Sequence, residues 1–134
     1  MTVGINSWVT LSQADSYFST RLGASFWSQL TDPEKETLLV TAFNWLLFDA
    51  SFSLSPSTDN ENVRVAQMEA AYFLNTYYLE YEQRAANIAG GVTSVSASKW
   101  SESYGTLQKP EMVICALQKA GAYLGAGTLI SLED

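Results

Sequence analysis

The sequence predicts a mainly α domain: a small helical bundle with one long helix and an inserted β-hairpin. Three observations carry that expectation. Helix-start signals recur near Thr10, Thr31 and Pro110, each followed by apolar residues at steps of three and four. One such pattern continues from about Glu61 to Ala86. After Gly90-Gly91 the helical period stops, and β-branched and hydroxyl residues take over.

The first helix opens on Thr10-Leu11-Ser12-Gln13, a capping box in which hydroxyl and amide satisfy free backbone donors reciprocally. Leu11, Ala14, Tyr17 and Phe18 form its apolar face, and a stop is expected near Gly23, which suits a left-handed cap. The second helix opens on Thr31-Asp32-Pro33-Glu34, where proline fits the first turn and acids favour the positive end of the helix dipole. Leu38, Leu39, Ala42, Phe43 and Leu46 make its stripe. Trp45 and Leu47 widen that stripe beyond one face, which predicts a central helix or one covered by a neighbouring subunit.

Residues 51–60, rich in Ser and Asp around Pro56, read as a loop. The long third helix follows from about Glu61 to Ala86, with Ala66, Ala70, Phe73, Tyr77 and Tyr81 at helical steps. Its length would be about 35–40 Å, enough to carry its far end clear of the core. Residues 90–105 predict the hairpin, with strands near Val92–Ser96 and Trp100–Tyr104. Such a hairpin is marginal alone and needs support from the helices or a partner. The last helix starts near Pro110-Glu111 and carries Met112, Val113, Ala116, Leu117, Ala120, Tyr123 and Leu124 on its apolar face. Gly125 and Gly127 are expected to end it. The C-terminal helix and tail together occupy 110–134, and the tail itself, from Thr128 to Asp134, holds Leu129, Ile130 and Leu132.

At 134 residues the chain has the size of a single domain, so one unit spanning 1–134 is expected. Apolar residues make up 47% of it, enough to offset the ordering entropy that keeps polar chains disordered. Seven Lys/Arg stand against fourteen Asp/Glu, a net charge of −7. The cations Arg21, Lys35, Arg64, Arg84, Lys99, Lys109 and Lys119 are all isolated in sequence. Nucleic-acid binding by phosphate neutralisation needs converging cations, so that class is disfavoured. No targeting signal marks Met1 to Asn6, and no apolar run approaches the roughly 20 residues of a membrane span. A soluble chain with no membrane contact is expected.

Catalytic chemistry has little to work with. There is no histidine, which removes His-based acid–base catalysis, His-activated nucleophiles and His-containing metal sites. Cys115 is the only cysteine and, within Val113–Leu117, is expected to be a buried structural thiol. Gly90-Gly91 lacks the Lys-Ser/Thr of a phosphate-cradling loop. Asp32, Glu34 and Glu36 suit a helix N-terminus, and Glu80 and Glu82 a solvated face, better than a paired-carboxylate site. No catalytic, cofactor-binding or metal site is therefore expected, and the chain is not expected to be an enzyme. Core packing accounts for Phe73 and Tyr77. Trp100 and Tyr104 on the hairpin, with Leu129, Ile130 and Leu132 in the tail, are the candidate protein-interface residues.

Two segments carry a resemblance. WVTLSQADSYFSTRLGASFWSQLTDPEKETLL, with Thr10-Leu11-x-x-Ala14-Asp15-x-Tyr17-Phe18 and then Thr31-Asp32-x-Glu34-Lys35-Glu36, resembles the N-terminal signature of a family of tailed-phage head-tail connector adaptors. NVRVAQMEAAYFLNTYYLE is similar to that family's Val-x-x-Ala-Gln-x-Glu-x-Ala helix. The likeness covers nearly the whole chain in order. Two features depart from it: residues 52–60 are shorter than the family's loop and lack its tryptophan and arginine, and Ala97-Ser98-Lys99 lacks a turn glycine.

The resemblance implies a virion structural protein of the neck, assembled in the host cytoplasm as a homo-oligomeric, twelve-fold ring beneath the phage portal. Such a ring links the capsid to the next neck or tail-completion protein, with double-stranded DNA only as passing cargo. The family has also been labelled DnaT-like single-stranded DNA-binding protein, so a DNA-binding accessory protein is the alternative. A regulatory helical domain with an unrelated partner is a third.

Overall fold

The computed structural model describes residues 1–87 and 108–124, with side chains in the long helix described as far as Tyr77. It is mainly helical: α1 (Leu11–Ser19), α2 (Asp32–Leu47), α3 (Glu61–Asn87) and α4 (Glu111–Lys119), with a 3₁₀ turn at Ser25–Gln29. No strand occurs among the described residues, only isolated bridges pairing Val3 with Ser7 and Phe52 with Tyr123. The hairpin expected at 90–105, with Trp100 and Tyr104, lies outside the described residues, as do Leu129, Ile130 and Leu132 of the tail.

Both capping boxes form. Thr10 Oγ1 accepts from the Gln13 N–H at 3.0 Å, and Gln13 Oε1 accepts from the Thr10 N–H at 2.9 Å. At the start of α2 the same exchange joins Thr31 and Glu34, at 3.3 and 2.8 Å. Each box is worth about 1 kcal/mol.

The helix ends differ from expectation. α1 stops at Ser19, short of Gly23, because the Ser19 and Thr20 hydroxyls turn back to the carbonyls of Ser16 and Tyr17 and compete with further helix. Gly23 serves instead as the left-handed residue, φ 83°, that turns the chain into the 3₁₀ segment. α4 stops at Lys119, not at Gly125. Gly121 takes φ 74° and donates to Gln118 O at 3.0 Å, while Ala122 N–H reaches Leu117 O at 2.9 Å. That bond pair is a Schellman cap, sealed by buried Leu117 and Ala122. Tyr123 and Leu124 therefore leave the helix and run extended. Leu124 N–H donates to Ser51 O and Ser53 N–H to Ala122 O, both at 2.7 Å.

α2 and α3 run in the same direction. Gln67 of α3 bonds the Leu39 carbonyl of α2, and one and a half turns further on Phe73 stacks on Trp45, ring centroids 5.9 Å apart. Parallel neighbours need a long return, which residues 48–60 supply; the Trp8 indole N–H holds it by donating to Ser55 O at 2.9 Å.

The central helix is α3 rather than α2: Ala66, Gln67, Met68, Glu69, Ala70 and Ala71 are buried in succession, so this stretch has no solvent face. The extra width of the α2 stripe is covered from within the chain, Trp45 lying between Phe73 and Lys109. Leu74 is the last buried residue of α3 among its described side chains.

Candidate interaction surface

Two polar residues inside α3 tie the bundle together. Gln67, fully buried, accepts the Trp8 N–H at 2.8 Å and donates to Ser7 Oγ at 3.1 Å and Leu39 O at 2.9 Å. One amide thus joins the N-terminal segment, α2 and α3. Glu69, 3% exposed, receives a two-pronged hydrogen bond from Arg21, Nε and Nη2 each at 2.8 Å, and a further one from the Tyr17 hydroxyl. The Arg21 guanidinium also lies 4.1 Å from the centre of the Tyr72 ring. Burial pushes the Glu69 carboxyl up, but the bonds from Arg21 and Tyr17 outweigh it and hold the group below its ordinary value. Burial, reinforced by the Glu69 carboxylate, raises the Tyr17 phenol, so Tyr17 remains a donor.

A second cluster joins α1, the 3₁₀ turn and α2. Asp15 Oδ1 accepts from the Trp27 indole at 2.7 Å and from Lys35 Nζ at 3.0 Å, and these bonds, the indole's foremost, keep Asp15 ionised below its ordinary range. Beside it lies an open groove of about 580 Å³, with Phe18 and Trp27 in its wall and Asp15, Arg21, Leu22 and Lys35 around it. Leu22 is 92% exposed.

At the other end of α2, Lys109 closes a third cluster. Its ammonium is 2.6 Å from Asp49 Oδ2 and lies 4.5 Å from the Trp45 ring centre and 5.9 Å from that of Phe52. Burial raises the Asp49 carboxyl, and Lys109 together with the Ser51 N–H more than reverses it. The extended residue Leu124 is fixed to Ser51 nearby. Lys109 and Leu124, which lie beside the two undescribed segments, are thus tied to the corner at 49–52. Phe48, 79% exposed, precedes that corner, and Leu124 is 46% exposed.

None of the five residues proposed from sequence as interface anchors falls within the described structure. Exposed apolar residues that the sequence reading missed include Leu22, Phe48 and Ile5, and Met112, expected on the apolar face of the last helix, is exposed as well. Phe48 was open to discovery: Trp45-Leu46-Leu47-Phe48 is a continuous apolar run, and a helix with a single buried stripe leaves part of such a run outside it. Cys115 corrects the reading of a buried thiol. It is exposed, because Val113, Ala116 and Leu117 define the inner face of α4 and position 115 falls outside it. Asp32 and Glu34 are exposed at the α2 start, as helix-capping acids should be.

Of the five cations whose side chains are described, Arg21, Lys35, Arg64 and Lys109 each pair with an acid, leaving Lys119 in the last turn of α4. No group of acids and cysteine suited to a metal ion occurs among the described residues, nor does any helix there have the length and apolarity to cross a membrane. Comparison with protein-family models, curated proteins and solved structures finds no match.

Proposed function

We propose that this protein is a structural virion component, a head-tail connector subunit that assembles as a ring beneath the phage portal and carries the neck around the DNA channel. One observation carries the reading. The polar residues of the two signature segments each make a bond that sets the fold: Thr10 and Thr31 with Glu34 in the caps, Asp15 with Trp27 and Lys35, Tyr17 with Glu69, and Gln67 with Trp8 and Leu39. The bonds from Tyr17 to Glu69 and from Gln67 to Trp8 and Leu39 span the chain, and they support reading the two segments as parts of one fold. Exposed Leu22 and Phe48 add apolar contact area for partners.

The alternative, a single-stranded DNA-binding accessory protein, gains no support from the cations with described side chains, four of the five being engaged with acids. The deciding experiment is a mass measurement of the full chain, alone and with its portal. Rings of about twelve copies are expected on the portal. Monomers alone, with the portal present, would overturn the reading.

A further inference from the structure

We propose that Asp49, Trp45 and Phe52 form a binding site for the ammonium group of an alkylamine, and that Lys109 occupies it as a tethered ligand. The inference goes beyond the connector reading and does not depend on it.

The site has the three parts that recognise such a cation. Asp49 supplies the charge, its Oδ2 standing 2.6 Å from the Lys109 ammonium. The Trp45 ring offers an electron-rich face 4.5 Å from that nitrogen, and the Phe52 ring a second at 5.9 Å, both within the range over which a ring attracts a cation. The third part is exclusion of water: both rings are buried, and the Lys109 side chain is only 8% exposed. A lysine this deep gives up hydration that a solvent-facing carboxylate would not replace. The Arg64–Asp59 pair is of that other kind, with Asp59 90% exposed.

Each wall is held by something other than Lys109. Asp49 Oδ1 accepts the Ser51 N–H at 2.8 Å, which leaves Oδ2 to the cation. Trp45 stacks on Phe73 with 7° between the ring planes. Phe52 donates its N–H to Asp49 O at 3.1 Å and packs against Tyr123, ring centres 5.8 Å apart. Removing the Lys109 side chain therefore empties the site rather than dissolving it, and leaves a carboxylate facing a cavity with aromatic walls. A cation on a short alkyl stem fits that cavity, whereas a neutral alcohol of equal length leaves the Asp49 charge uncompensated. Lys109 lies just before the Pro110 cap of α4, so its backbone is anchored at the site and its side chain competes there at high effective concentration. Free amines are thereby shut out of the intact chain.

Thermal unfolding of the full chain tests this. The atoms that Lys109→Ala removes beyond Cβ are those of n-propylammonium, so that ion is the probe. The uncharged control is 1-propanol, and sodium chloride matches the ionic strength. Propylammonium should raise the Tm of Lys109→Ala by about 3 °C or more, saturating at concentrations on the order of millimolar, and should leave the unsubstituted chain unmoved. With 1-propanol no saturable rise is expected, and adding Asp49→Asn to Lys109→Ala should abolish the response to propylammonium. If Lys109→Ala is unfolded by itself, propylammonium should restore its helical circular-dichroism signal. Neither a rise nor refolding, an equal effect of 1-propanol, an equal rise in the unsubstituted chain, or a response that survives Asp49→Asn would each overturn the inference.

Discussion

Glu69 and two of the left-handed glycines, Gly23 and Gly121, show how much a single position decides. The Glu69 carboxyl is held below its ordinary value of 4.5, so near that pH the folded chain binds fewer protons than the unfolded one. Its contribution to stability is complete above about pH 4.5 and is lost as pH falls towards the depressed value. Urea midpoints should therefore drop as pH falls below about 4.5, and Glu69→Gln should flatten that slope while costing about 1–3 kcal/mol at pH 7. Gly23 and Gly121 share a positive φ but differ in surroundings. A Cβ at Gly23 would stand 3.0 Å from the Tyr72 hydroxyl, whereas one at Gly121 would meet nothing within 4 Å. Gly121→Ala should cost only the backbone strain, about 1 kcal/mol, and Gly23→Ala measurably more, in the same denaturation assay. The left-handed turn at Gly23 was legible in the sequence, but the Tyr72 hydroxyl that sets its surroundings apart from those of Gly121 was not. The buried acid was equally hidden, since nothing local distinguishes Glu69 from a solvated Glu on a helix.

Helix beginnings were legible and the ends of α1 and α4 were not, for a physical reason. A start is written in three or four adjacent residues, as at Thr10–Gln13 and Thr31–Glu34, and the 61–87 helix announces itself by its period. An end is a competition. Around α4 the chain offers Gly121, Gly125 and Gly127, and the first wins because Ala122 can pack on Leu117 there. Burial around α3 was also misjudged, because amphipathic reasoning assumes a wet face and residues 66–71 have none. Gln67 sits within that dry stretch, and Gln67→Leu fills its volume but strips the Trp8 N–H of its partner. A loss of about 2–3 kcal/mol is expected in the unfolding free energy. Lys109→Met, which keeps the apolar stem over Trp45 but removes the charge, should cost about 1–2 kcal/mol and leave Asp49 with only its bond from the Ser51 N–H; amide exchange at Leu124 should accelerate in parallel.

At the scale of the chain, a net charge of −7 disfavours phosphate, and four of the five cations with described side chains are already paired with acids. Fluorescence anisotropy with a labelled single-stranded oligonucleotide should stay flat at about 50 mM salt, and a saturable, salt-sensitive rise would revive the alternative reading. The shared direction of α2 and α3 bears on how the chain reaches this state. Adjacent helices of an up-and-down bundle meet through a short turn and can pair almost as soon as they form. Here Leu39 and Gln67, the pair that meets, stand 28 residues apart, and Trp45 and Phe73 are separated by the same interval. The chain must double back along residues 48–60 before either pair gains anything, so the entropy of closing that loop falls before the barrier rather than after it. Doubling the exposed 55–59 stretch with Gly-Ser should cost only about 0.6 kcal/mol or less at equilibrium. In stopped-flow refolding almost all of that cost should appear in the folding rate, with unfolding nearly unchanged.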